Sequence, residues 1–147
     1  AFYVFKLAIE EGLRRVIVAS SNHAADWYET KLLCRKLNTN GPGSYPLSDI
    51  GTVGQGKLEF IGYIFATGRF GRAVENAQVR IGAPRPINWD RHNGNGTWYR
   101  RDLGAYINER DTVQLYTKSI ETADIRNEDE IPFQVFFGIS NNARMFW

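Results

Sequence analysis

The sequence is poor in cysteine, in histidine and in long apolar runs, and each scarcity removes a class of protein. Its single cysteine, Cys34, cannot close an internal disulfide, so the chain lacks a disulfide framework and suits a reducing compartment such as the cytoplasm. As a lone small side chain it reads as a packing residue rather than a reactive thiol. No apolar stretch approaches the roughly 20 residues that a membrane-spanning helix requires. The apolar N-terminal segment is broken by Lys6, Glu10 and Glu11, unlike the core of a signal peptide. A formal charge of +2 is too small to imply nucleic acid or another polyanion as partner, although Arg outnumbers Lys. Of the two histidines, His92 stands beside Asp90 but has no third ligand at metal-site spacing, so it reads as a solvated loop residue and no metal is expected. Repeats and low-complexity tracts are missing too. What remains is a chain of 147 residues with ordinary apolar content, enough for one packed core.

The most informative stretch is Arg14 to His23, RRVIVASSNH. Val16, Ile17 and Val18 form an apolar run without alternation, the pattern of a strand buried on both faces of a parallel sheet. Val4 to Glu11 precedes it as the end of an amphipathic helix with Val4, Phe5, Ala8 and Ile9 on one stripe, stopped by Gly12. In open α/β sheets ligands collect beyond the carboxyl ends of the strands, where Ser20, Ser21, Asn22 and His23 would emerge. The same four residues could instead form a polar turn that caps the next segment.

These residues carry a resemblance. The segment VFKLAIEEGLRRVIVASSNHAADWYE resembles the middle of the NAD-dependent epimerase/dehydratase family, the extended short-chain dehydrogenases/reductases, and SSNH is similar to its uronate dehydrogenase-like branch. The resemblance implies an α/β fold: an incomplete Rossmann-like parallel sheet with flanking helices. Residues 1–147 would form the middle and C-terminal part of a single domain, without the N-terminal cofactor-binding half. It also implies NAD as cofactor, a small sugar or sugar-acid substrate and a Ser-Tyr-Lys catalytic set. Carried over by position, Ser21 is the catalytic hydroxyl and Asn22 and His23 are substrate contacts. Self-association into a homo-oligomer is left open.

Further along, Asp26 to Leu37 reads as a loop with a short helix, and NTNGPGSYPLSD, residues 38–49, as an irregular connection. GTVGQGK, residues 51–57, matches seven positions of the nucleotide phosphate-binding pattern. Leu58 cannot supply the hydroxyl required at the eighth, and no apolar strand leads into it. Against the family, Lys57 occupies the lysine of Tyr-x-x-x-Lys, which makes it the second catalytic candidate, but Val53 stands where the tyrosine belongs. A helix is expected over Leu58 to Thr67, ended by Gly68, because Gly51, Gly54 and Gly56 are poor helix formers.

Gln78 to Ala83, QVRIGA, reads as the next strand and should pair in parallel with the strand at Val16 to Ala19, their carboxyl ends on one edge. Arg80 is the charged member of that strand and needs a carboxylate. The partner is either a side chain of this chain or, as the resemblance implies, the acid group of a substrate. Pro84 to Thr97 is a loop, and Trp98, Tyr99 and Tyr106 offer aromatic surface for a sugar or for the core. Asp111 opens a last helix through a D-T-V-Q capping box, and Pro132 to Ser140 is a further strand. The family's Gly-x-x-Gly-x-x-Gly turn for NAD does not occur in these residues. Three functions follow: a fragment or degenerate copy of an NAD-dependent sugar dehydrogenase, a non-catalytic binding or regulatory module of the same fold, and a nucleotide-phosphate protein.

Overall fold

A computed structural model describes residues 1–22 and 54–143. In order they form α1 (Phe2–Glu10), β1 (Arg15–Ser21), α2 (Gly54–Ala66), β2 (Glu75–Ile81), a 3-10 turn (Asp90–His92), α3 (Gly96–Ala105), α4 (Glu109–Glu121) and β3 (Phe133–Gly138). The strands make one parallel sheet in the order β1-β2-β3. The fold is thus α/β, with helices flanking a parallel sheet as in part of a Rossmann-like domain. The short helix and the loop expected between residues 26 and 49 lie outside the described residues. Among the described residues no helix is long and apolar enough to cross a membrane.

Each turn into the sheet has a physical cause. Gly12 and Gly68 adopt left-handed backbone (φ +69° and +73°) just past the ends of α1 and α2, a conformation that costs glycine nothing. At the start of β1 the two arginines hold the strand to its neighbour. Arg14 Nε lies 3.0 Å and Arg15 Nε 2.6 Å from the Glu75 carboxylate, and Arg15 also donates to the Ser119 carbonyl of α4 at 2.7 Å. On one face of the sheet Phe5 of α1 stacks on Phe65 of α2, and both are almost wholly buried.

The order of the strands corrects the sequence reading in one respect. β1, the apolar run, lies at the edge of the described sheet and is only half-buried, whereas β2, with its mixed sequence ENAQVRI, lies in the middle. The interior tolerates this because the polar groups bond one another. Gln78 Nε2 donates to Asn76 Oδ1 at 2.6 Å, and Asn76 Nδ2 donates to the Val16 carbonyl at 3.0 Å; both side chains are fully buried. Gly62 of α2 faces them, and a Cβ there would collide with the Asn76 amide. The glycine lets the helix approach the two amides.

Two helix starts also differ from expectation. α2 begins at Gly54 rather than Leu58, because packing against the sheet outweighs the weak propensity of its first glycines. α4 begins one turn earlier than the Asp111 reading: Asn108 is the N-cap, its side chain accepting from Asp111 N at 2.7 Å, and Asn108 Nδ2 donates to the Asp111 carboxylate at 2.9 Å. Asp111 is the third helical residue, not the cap. On α1 the buried stripe is Phe5 and Ala8, while Val4 is exposed.

Candidate functional site

β1 and β2 pair in register from Arg15 opposite Glu75 to Ser21 opposite Ile81, so their carboxyl ends share one edge, as expected. Ser21 closes the ladder there and Asn22 follows it, buried at 3% exposure. His23 lies outside the described residues. Lys57 falls in the first turn of α2, and Val53 and the first part of GTVGQGK lie outside the described residues.

Ser20, one residue earlier, is a participant that sequence reasoning passed over. Its hydroxyl lies 3.2 Å from Glu59 of α2. The same carboxylate takes Arg80 in a two-pronged pair, Nε to Oε1 at 2.8 Å and an outer guanidinium nitrogen to Oε2 at 2.7 Å. Both side chains are nearly buried, and the Arg80 guanidinium lies 5.0 Å from the centre of the Phe137 ring. Of the two partners open to Arg80, the structure displays the internal one. Glu59 was invisible as that partner because 21 residues separate the two and only the crossover from α2 to β2 brings them together. The trio ties the end of β1, the middle of β2 and the helix that carries Lys57.

Beyond β2 the chain stays at this edge. Ala83 bridges to the segment leaving α3, donating to the Ala105 carbonyl at 2.8 Å, and Gly82 lies so close that a Cβ would strike that carbonyl. Between the two, residues 84–95 fold back on α3. Asn88 Oδ1 accepts from Asp90 N, Asn93 takes left-handed backbone, and Asn95 Oδ1 accepts from Trp98 N at the start of α3. His92 is not the solvated residue expected. Its side chain is 8% exposed, with Nδ1 2.8 Å from the Asn88 carbonyl and Nε2 3.1 Å from Asp102 Oδ2. A ring carrying both protons would satisfy both acceptors.

Asp102 is the hub of this loop. Its Oδ2 also receives Arg85 at 2.7 Å, and Arg101 stands 3.9 Å from Oδ1 with its guanidinium 5.9 Å from the Trp98 ring. These residues line an open cleft of about 590 Å³ together with Arg91. Sequence reading named Trp98 and His92 but not the three arginines, whose spacing in the chain carries no motif. Among the described residues no three His, Cys, Asp or Glu side chains gather as metal ligands would.

A parallel α/β sheet with a polar strand end, and a structured basic loop at the same edge, defines a Rossmann-like protein that handles a small polar ligand. Over 149 aligned residues, covering 99% of the chain, the sequence is 26% identical to uronate dehydrogenases of Pseudomonas syringae pv. tomato and of Pseudomonas putida. The aligned region is 45% and 46% of those proteins, so the chain spans a little under half the length of the curated relatives it matches. The similarity marks a distant relationship to this group of dehydrogenases. No protein-family model matches the chain, and no solved structure does.

Proposed function

We propose that the chain is the substrate-side part of an NAD-dependent dehydrogenase acting on a small sugar or sugar acid. The observation that carries this reading is the parallel pairing that ends at Ser21 and Ile81, with Asn22 next in the chain, in a sequence similar to two uronate dehydrogenases. Ser21 is the hydroxyl that orients the alcohol to be oxidised, Asn22 and His23 hold the neighbouring sugar hydroxyls, and Lys57 is the cation of the catalytic set. Oxidation takes a hydride from carbon and a proton from the adjacent oxygen; NAD, when bound, supplies the hydride acceptor. The 147 residues contain no Gly-x-x-Gly-x-x-Gly turn, and among the described residues no strand leads directly through a glycine-rich turn into a helix, so the pyrophosphate has no cradle in them. The chain's own residues act on the substrate side alone.

A second reading, a binding module of the same fold without chemistry, is favoured by Val53. The proton must go to a base, and a phenol beside Lys57 would serve, whereas a valine cannot. Turnover of NAD with hexuronates by the protein at its full natural length separates the two. Efficient turnover, reduced about 10²–10⁴-fold by Ser21→Ala, supports the dehydrogenase. Saturable sugar binding with no NADH formed, restored to turnover by Val53→Tyr, supports a degenerate copy.

A further inference from the structure

We propose that the cleft between residues 84–95 and α3 is a receptor for a phosphate monoester carried on a small ring, a sugar phosphate in the first instance. The proposal rests on the function above only in calling the ligand a substrate, since anion binding can be measured without turnover. Three guanidiniums, from Arg85, Arg91 and Arg101, face the cleft against one carboxylate, Asp102. Asp102 is 5% exposed and bonds Arg85 and His92, so it orients those cations more than it cancels them. Arg91 is exposed and has no hydrogen-bond or ion-pair partner among the described residues.

The charge balance chooses the ligand class. One bidentate guanidinium satisfies a carboxylate, whereas a phosphate monoester carries up to two charges and three acceptor oxygens and draws on several. The cleft offers that surplus. Trp98, 57% exposed at its wall, presents an aromatic face on which a ring can lie. The cleft also lies within reach of the strand ends: Arg85 follows Ile81, the partner of Ser21, by four residues, which span at most about 14 Å. A volume of about 590 Å³ accommodates a monosaccharide phosphate.

The test is calorimetric titration of the full-length protein at constant ionic strength with inorganic phosphate, a hexose 6-phosphate, adenosine monophosphate and a hexuronate. The expected result is that the hexose phosphate binds at least about tenfold tighter than the hexuronate, the gain of one further charge-assisted hydrogen bond. Arg91→Ala, at an exposed position that leaves the fold intact, weakens phosphate and hexose phosphate alike by about tenfold. Trp98→Ala weakens the hexose phosphate and leaves inorganic phosphate unchanged. Tighter binding of adenosine monophosphate keeps the phosphate receptor and assigns its ring to a nucleotide. Hexuronate binding as tight as hexose phosphate, or phosphate affinity unchanged in Arg91→Ala, overturns the proposal. Phosphate binding without any NAD turnover removes the dehydrogenase reading and keeps the receptor. Turnover of hexuronates without phosphate binding does the reverse.

Discussion

At the scale of single residues, the ion pair of Arg80 and Glu59 has the strongest energetic consequence. Both partners are nearly out of water and share a two-pronged geometry, so removing one leaves a buried charge unpaired. Glu59→Ala should cost about 3–5 kcal/mol in urea unfolding, whereas the double replacement of Glu59 by Leu and Arg80 by Met should recover most of that loss. A loss under about 1 kcal/mol for the single change would show that solvent screens the pair. Sequence reasoning saw half of this arrangement. A guanidinium in a strand demands a carboxylate, but which one depends on how α2 crosses over the sheet. The cleft repeats the lesson, since Asp102 joins Arg85 and His92 from positions 17 and 10 residues away in the chain.

At the scale of elements, α4 and α2 show how local signals and packing share control. The Asn108 cap is worth about 1 kcal/mol, which Asn108→Ala should remove. Asp111 adds a pH dependence. The Ser140 hydroxyl, and after it Arg110, hold the Asp111 carboxyl below its ordinary value of 3.8. A carboxyl lowered in the folded state contributes stability that is fully present above the unfolded value and is lost as pH falls through the folded one. Thermal unfolding followed from neutral pH to about 2 should therefore show a shallower acid decline in Asp111→Asn than in the natural sequence. Asp124, held at about 2 by Arg126, adds to the same acid limb and should persist in that variant. In α2 the expected effect of Gly62→Ala runs against helix propensity. The gain of up to about 1 kcal/mol in the helix is outweighed by the collision with the fully buried Asn76 and Gln78 amides, which costs roughly 1–3 kcal/mol. A variant more stable than the natural sequence would show that the amides have room to turn.

At the scale of the whole molecule, the prediction concerns the cofactor. The 147-residue chain alone should show no saturable NAD binding in calorimetry with cofactor in the millimolar range, because a pyrophosphate needs backbone donors from a glycine-rich turn at a helix start. Saturable binding would mean that another cradle, the arginine cleft first among them, takes the cofactor. The sequence by itself determined the fold class, the parallel pairing of β1 with β2 and the edge on which Ser21 and Asn22 emerge, because strand runs, glycine stops and crossover handedness are properties of neighbouring residues. Only the tertiary structure decided that the polar strand is the central one, that Arg80 is held by Glu59, and that a loop rich in Pro, Asn and Gly is a folded basic cleft with His92 inside it. Each of those facts is a pairing between residues distant in the chain. Composition and periodicity record which groups need partners, and folding alone brings the partners to them.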